Sequence, residues 1–178
     1  MGERAASVRR VSIPSDPNIY DPGSETRGIP GYGSMRRRVG DEAGSRRLGT
    51  SVWDVPPGNG AYPYHFHYVE EEQLIVLEGR PLLKDARGWR RLERGAVVAF
   101  LPGEEGGHQI YNDGPGLVRF LSISTSGEPD IVAYPEQGKI GVFERPPGDG
   151  KLWQLFRTSD EVPYDNGDIK PVEPPTGL

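Results

Sequence analysis

The side chains best suited to chemistry in this sequence are histidines and glutamates near its middle. Only three histidines are present, and His65 and His67 are separated by a single residue. A β-strand places alternate side chains on one face, so this spacing directs both imidazoles to the same side. The glutamates Glu70, Glu71 and Glu72 follow, and an apolar run begins directly after them. A carboxylate at the start of the next antiparallel strand can reach back to the histidine pair.

The third histidine, His108, follows the glycine-rich loop 102–107 and begins another short apolar run. Three neutral imidazoles and a carboxylate suit a first-row divalent metal and leave coordination positions open, as in catalytic metal sites. The chain has no cysteine, which excludes a thiolate ligand, a cysteine nucleophile and a disulfide framework. We therefore expect one divalent transition metal, Fe, Mn, Ni or Zn, bound to His65, His67, His108 and one of the three glutamates.

The elements that must position these residues are short strands. The chain has 25 glycines and 18 prolines among 178 residues, which is too turn-rich for a helical bundle. From Thr50 onward, apolar runs alternate with turn segments such as 56–60 and 112–116, a spacing typical of an all-β sandwich or barrel. The pattern predicts strands over residues 50–55, 61–68, 72–78, 80–84, 89–92, 96–101, 107–112, 117–124 and 140–144.

The chain divides into three parts on composition. Residues 1–49 are rich in proline and glycine without apolar periodicity, which predicts an extended N-terminal arm. Residues 50–126 contain the apolar runs and form the barrel core. Residues 127–178 are predicted to supply one C-terminal strand and an irregular tail that packs on the barrel, with a short amphipathic stretch at 151–157.

Composition also limits the partners. Residues 1–30 lack the apolar run of a secretory leader, and no segment reaches the roughly 20 apolar residues of a membrane span, so we expect a cytoplasmic protein without a membrane partner. The net charge is −5, and the arginine run 36–38 is interpreted as a solvated edge or subunit contact, not a nucleic-acid site. The arm and the aromatic strand faces favour a homodimer.

Residues 60–79 and 95–112 resemble the two motifs of the cupin superfamily. The first motif has a glycine, a His-x-His pair, a glutamate four or five positions further on, and a closing glycine. The second has a glycine, then a proline and a glycine, then a histidine and an asparagine. The first glycine lies one residue closer to the histidine pair than usual, and the loop before the third histidine has one extra residue. The matching residues are Gly60, His65, His67, Glu72 and Gly79, then Gly95, Pro102, Gly103, His108 and Asn112.

The resemblance implies a double-stranded β-helix, the jelly-roll or cupin barrel, in a small single-domain protein with one metal ion. It selects Glu72 among the three glutamates by its spacing from Gly79, although strand alternation gives Glu70 the same face. It implies a metal-dependent protein acting on a small organic molecule, as a dioxygenase-like oxidoreductase, an isomerase or a decarboxylase. The alternative is a non-catalytic protein in which the metal anchors a small ligand for binding or sensing.

Neighbouring polar and aromatic residues receive simpler interpretations. Gln109 and Asn112 are candidates for the pocket or for support of the metal ligands, and Asn112 also fits a turn, because Asn-Asp-Gly follows the strand. Tyr62, Tyr64 and Tyr111 are expected to pack in the outer layer. The sequence alone selects neither a substrate nor a reaction.

Overall fold

The backbone is almost entirely extended. A computed structural model describes residues 16–23, 25–26, 28–125, 129–144 and 152–164. The elements in these ranges are β1 (Glu25–Thr26), β2 (Met35–Arg37), α1 (Val39–Glu42), β3 (Leu48–Val55), β4 (Asn59–Gly60), β5 (Phe66–His67), β6 (Glu72–Glu78), β7 (Leu82–Asp85), β8 (Gly88–Arg91), β9 (Val97–Phe100), β10 (Gln109–Asn112), β11 (Val118–Thr125), β12 (Asp130–Tyr134), β13 (Lys139–Phe143) and β14 (Trp153–Arg157).

The strands form three antiparallel sheets. A six-stranded sheet has the order β1-β2-β3-β11-β6-β9, and two four-stranded sheets have the orders β4-β10-β7-β8 and β14-β13-β12-β5. The only α-helix among the described residues is the single turn α1, and none of them forms a helix long and apolar enough to cross a membrane. The all-β expectation is therefore confirmed.

The hydrophobic core lies between the six-stranded sheet and the sheet of β4, β7, β8 and β10. Val118 and Phe120, two positions apart on β11, belong to the core, and Phe120 is fully buried. Burying one phenylalanine contributes about 2–3 kcal/mol to stability relative to leaving it exposed. The rest of the core cluster comes from both layers: Trp53, Val55, Ala61, Tyr62, Leu74, Val76, Leu83, Leu92, Phe100, Ile110 and Val118.

The N-terminal segment joins the six-stranded sheet. β2 pairs with β3 and β1 pairs with β2, so part of the predicted arm extends the sheet by two short strands. Arg119 on β11 donates two hydrogen bonds to Asp54, at 2.6 and 2.8 Å, and a third to the carbonyl oxygen of Tyr20 at 2.8 Å. A bidentate pair with little solvent access is geometrically specific, so Asp54 holds the Arg119 side chain in place. The third hydrogen bond then joins residue 20 to the sheet.

The predicted strand 61–68 is interrupted. Only Phe66–His67 forms a strand in this range, and His65 makes an isolated antiparallel bridge with His108. Proline lacks a backbone N–H group, so Pro63 cannot continue a ladder through this segment. The chain instead pairs with the start of β10 through His65 and with β12 through β5.

More strands follow residue 126 than the single one that the sequence pattern predicts. β13 matches the predicted strand 140–144 within one residue, but β12 and β14 also form and build a sheet with β5. All five residues of β14 are exposed, including Trp153, Leu155 and Phe156. The C-terminal segment thus supplies three of the four strands in the sheet that contains His67, where the sequence pattern predicts one.

Candidate metal centre

The four predicted ligand residues come from three different parts of the sheet structure. His65 and His108 face each other across their bridge, with backbone hydrogen bonds of 3.2 and 2.9 Å between them. His67 lies on β5, and Glu72 is the first residue of β6, opposite Phe100 of β9. The three histidines are each at least 92% buried, with exposures of 8%, 7% and 2%. The fold therefore converges all four side chains on one place.

Each histidine is oriented through its Nδ1 atom. The Nδ1 atoms of His65 and His108 lie 3.0 and 2.9 Å from the carbonyl oxygens of Pro63 and Gly106. A carbonyl oxygen only accepts hydrogen bonds, so Nδ1 carries the proton and Nε2 keeps its lone pair. His67 also donates through Nδ1, here to a carboxylate, because its Nδ1 lies 2.6 Å from Oδ2 of Asp130. These contacts are the support that metal-binding histidines need.

Glu72 lies between two of the imidazoles. Its Oε2 atom is 3.3 Å from Nε2 of His67 and 3.3 Å from Nε2 of His108. Donor atoms of His65, His67 and Glu72 all lie within 4.8 Å of one another. Three nitrogen donors and one carboxylate at this spacing fit a divalent transition ion, whose bonds to such ligands are about 2.0–2.2 Å. The cluster can bind a metal, and which residues coordinate it stays a prediction.

The electrostatics divide the histidines into two kinds. Burial lowers the pKa of His65 well below its usual value, and the neighbouring His108 and His67 lower it further. Burial also lowers the pKa of His108, so both rings are neutral and ready to donate a lone pair. For His67 burial acts in the same direction, but the Glu72 and Asp130 carboxylates outweigh it and raise the pKa to about 10.

The pKa of Glu72 is shifted by its contact with His67. Burial raises the pKa of its carboxyl, but the charge and hydrogen bond of His67 outweigh burial and hold the pKa far below its ordinary value. Without a metal, the centre therefore contains an imidazolium–carboxylate pair between His67 and Glu72. A divalent ion would replace the proton on His67 as the positive charge next to Glu72.

Aromatic rings enclose the centre, and one of them corrects an expectation. Tyr62 is 7% exposed and packs edge-on against His65 and His108, with ring centroids 4.7 and 5.5 Å apart. It therefore lies in the inner wall and not in the outer layer, because the chain turns at Pro63. Phe100 stacks on His108 at 3.7 Å, and Tyr134 stacks on His65 at 5.9 Å. The ring of Tyr134 is a part of the site that sequence spacing does not indicate.

The other polar and aromatic candidates stand apart from the histidines. Asn112 donates hydrogen bonds to the carbonyl oxygens of Val55 and Gly116 and accepts one from Gly114, so it has the turn-forming role. Gln109 donates to the hydroxyl of Tyr32 at 3.3 Å. As expected, two tyrosines lie away from the centre: the ring of Tyr64 faces Lys84, and that of Tyr111 faces Trp89.

A second group of acidic residues lies behind His67. Donor atoms of His67, Glu70 and Asp130 lie within 4.8 Å of one another, and all three side chains are buried. Glu70 is only 1% exposed, so it belongs to the surroundings of the centre, although its carboxylate is on the Asp130 side of His67. Asp130 is 63 residues from His67, a separation at which no local motif could reveal the contact.

A cavity of about 490 Å³ opens onto the centre. His65, His67 and Glu72 form one part of its wall, together with Tyr62 and Tyr134. The rest of the wall comes from the N-terminal strands, the six-stranded sheet and the C-terminal sheet: Glu25, Thr26, Ile29, Ser34, Arg36, Arg38, Trp53, Ser122, Val132, Phe143, Trp153 and Leu155. A volume of this size holds a small organic molecule.

Comparison with solved structures shows which proteins share this architecture. A candidate sugar phosphate isomerase from Acidithiobacillus ferrooxidans ATCC 23270 is 28% identical, with a TM-score of 0.67 over 75% of this chain and 81% of that one. A sugar phosphate isomerase of the cupin superfamily from Silicibacter pomeroyi DSS-3 is 22% identical, with a TM-score of 0.68 over 79% of this chain and 90% of that one.

A more distant structure shows the fold alone. An uncharacterized protein with a double-stranded β-helix domain from Klebsiella pneumoniae is 19% identical, with a TM-score of 0.51 over 65% of this chain and 94% of that one. No curated protein matches the chain. The family model for the cupin domain matches residues 51–124, the segment that contains all four predicted ligands. Residues 51–124 therefore match a cupin domain, and the described part of the chain shares its fold with a solved structure of the cupin superfamily.

Proposed function

We propose that this protein is a metal-dependent isomerase that interconverts the aldose and ketose forms of a small phosphorylated sugar. One observation carries the proposal: the histidines converge with Glu72, and His65, His67 and Glu72 line a cavity of small-molecule size. The similarity to the candidate sugar phosphate isomerase, at 28% identity over three quarters of the chain, supports the reaction class.

The ligand set defines what the centre would contribute. His65, His67, Glu72 and His108 would hold the ion. A bound divalent ion supplies a Lewis acid that polarises a carbonyl or hydroxyl oxygen of the substrate. The rings of Tyr62, Phe100 and Tyr134 pack against the imidazoles and reduce the access of water to the substrate's reacting carbons.

The reaction also needs a group that moves a proton. Aldose–ketose interconversion takes a proton from one carbon atom and returns it to its neighbour, so a side chain must accept it and give it back. Among the cavity residues that contact the histidines, Glu72, Tyr62 and Tyr134 carry acidic oxygen atoms. We assign the proton transfer to this group of three.

The test uses the full chain loaded separately with Fe(II), Mn(II), Ni(II) and Zn(II). Each form is incubated with a panel of aldose and ketose phosphates, and interconversion is followed by NMR. We expect turnover with at least one metal and none in the His65→Ala, His67→Ala double variant. Absence of interconversion with every metal and every sugar phosphate would refute the isomerase assignment.

An oxygen electrode run beside this assay tests the alternative of a dioxygenase-like oxidoreductase. The same ligand set suits such chemistry, so oxygen consumption coupled to substrate loss would replace the isomerase by an oxidoreductase. Tight metal and ligand binding without turnover in either assay would favour the non-catalytic binding protein.

A further inference from the structure

The arginine run 36–38 is divided between two faces of the extended segment that contains β2. Ser34, Arg36 and Arg38 line the cavity, as alternate positions of an extended segment do. Arg37 points the other way and forms ion pairs with Asp21 at 3.0 Å and with Glu42 at 2.5 Å. The run is therefore not uniform: Arg37 pairs with acidic side chains, whereas Arg36 and Arg38 face the same space as the histidines.

Arg36 is held in a defined position. Its Nε atom donates a hydrogen bond to Oγ of Ser51 at 3.0 Å, and its guanidinium carbon lies 5.1 Å from the centroid of the Trp53 ring. A guanidinium fixed along one edge and one face loses little further freedom when it binds an anion. Such a group is preorganised for recognition.

Arg38 has a looser partner. Its Nε atom lies 3.6 Å from Oε2 of Glu25, beyond ordinary hydrogen-bond distance, and the Glu25 side chain is 57% exposed. An exposed pair of this kind contributes little stability, so Arg38 can turn to a ligand at small cost. Arg36 and Arg38 bring two positive charges to the cavity wall beside Glu25, and the other carboxylate of the lining, Glu72, lies with the histidines.

A short series of aromatic contacts joins the arginines to the metal centre. Arg36 lies over Trp53, Trp53 packs edge-on against Tyr62 at 5.3 Å, and Tyr62 packs against His65 at 4.7 Å. The two ends of the cavity are thus separated by two aromatic rings. Arg36, Trp53, Tyr62 and His65 all line the same cavity.

We propose that Arg36 and Arg38 form an anion subsite that binds a phosphate monoester group, with the rest of the molecule directed to His65, His67 and Glu72. Two guanidinium groups match the charge of a phosphate dianion and its several acceptor oxygens, whereas a carboxylate needs only one. The role in substrate binding rests on the proposed function, but the affinity of the subsite for phosphate can be measured without turnover.

The experiment measures binding of inorganic phosphate to the metal-free full chain by isothermal titration calorimetry at pH 8, with a chelator present. Arg36→Met and Arg38→Met each remove one guanidinium from the subsite, and we expect the dissociation constant to rise about tenfold or more in each. Arg37→Met is the matched control, because it removes the same charge from the same strand on the other face. It should change the dissociation constant less than twofold.

Two further measurements keep the result clear. Arg36→Lys keeps the positive charge but loses the planar guanidinium that packs on Trp53. A phosphate affinity between those of the wild type and Arg36→Met, with an unchanged melting temperature, supports the subsite. Acetate serves as a monoanion probe and should bind at least tenfold more weakly than phosphate. The proposal is overturned if the wild-type chain does not bind phosphate, if acetate binds equally well, or if all three methionine variants behave alike.

The outcomes separate this inference from the proposed function. Phosphate binding that depends on Arg36 and Arg38, in a protein without isomerase activity, would retain the subsite and reject the reaction. Isomerase activity toward phosphorylated sugars, with phosphate affinity unaffected by either substitution, would retain the reaction and reject the subsite.

Discussion

Oδ2 of Asp130 accepts a hydrogen bond of 2.6 Å from Nδ1 of His67, and both side chains are buried. The contact joins β12 to β5, the strand next to it in the C-terminal sheet. A carboxylate in this position fixes the ring orientation and makes Nε2 a stronger donor. Asp130 is therefore a positioning residue for the predicted ligand His67.

Replacing Asp130 by asparagine tests this role. The amide keeps an oxygen acceptor but loses the negative charge, so we expect metal affinity to fall about 10- to 100-fold. Competition with a chromogenic chelator measures the change. Asp160→Asn, an exposed substitution, is the control. Unchanged affinity in Asp130→Asn would show that the contact serves only to join the two strands.

The ligand assignment itself is tested by His65→Ala, His67→Ala, His108→Ala and Glu72→Gln. Each removes one donor, and bound metal measured by mass spectrometry should fall sharply in each purified variant. Glu71→Gln is the proper control, because Glu71 is exposed. Glu70 cannot serve as one, because it is buried beside Asp130. Full metal content in the His65→Ala, His67→Ala double variant would refute the site.

Metal binding should release a proton from His67. Glu72 and Asp130 raise the pKa of His67 to about 10, so the metal-free centre is protonated at pH 8 and Nε2 must lose that proton to coordinate. Calorimetry in buffers of different ionisation enthalpy should show about one proton released per ion. Affinity should rise about tenfold per pH unit between pH 7 and 9. A plateau above pH 7 would show that His67 is already neutral.

The turn at Gly79 should tolerate no side chain. Gly79 has a φ of +76°, and an added Cβ would lie 2.8 Å from the carbonyl oxygen of Leu117. Gly58 has a φ of +73° and nothing within 4 Å of an added Cβ, so it isolates the backbone strain from the clash. In urea unfolding, Gly58→Ala should cost about 1 kcal/mol and Gly79→Ala about 2–4 kcal/mol. Equal losses would mean that the neighbouring turn moves aside.

The predicted homodimer now has a specific surface to test. The edge strand β14 exposes Trp153, Leu155 and Phe156, each about half accessible, and edge strands with apolar side chains favour pairing. Light scattering at micromolar concentration should give the mass of two chains. Leu155→Glu places a charge on the exposed apolar face and should shift the measured mass toward that of a single chain. A monomeric mass for the wild-type chain would contradict the dimer.

The sequence predicts the parts of the site that depend on local spacing. His65 and His67 are two residues apart, and the predicted strand 72–78 agrees with β6 at both ends, because its short apolar run ends directly before the turn at Gly79. The third histidine follows from its place at the start of an apolar run. Glu72, which its spacing from Gly79 indicates, lies 3.3 Å from Nε2 of both His67 and His108.

The remaining features depend on contacts that are distant in sequence. β14 has no buried face, so its side chains carry no alternating signal. Asp130 reaches His67 only after the chain has completed the barrel. Tyr62 is assigned to the wrong layer because the interruption at Pro63 breaks the strand that was expected to run from 61 to 68. Arg36 is hidden in a run of three arginines whose alternation becomes visible only when β2 pairs with β3.

The pairing of β5 with β12 changes what counts as the functional unit of this chain. The segment that matches the cupin domain ends at residue 124, whereas the strand partner of His67 and its carboxylate acceptor lie at residues 130–134. Any shortened version cut at the family boundary would keep every predicted ligand and still lose one wall of the centre. A shortened protein, or a transfer of the site to another barrel, must therefore include residues 129–144 together with the histidines.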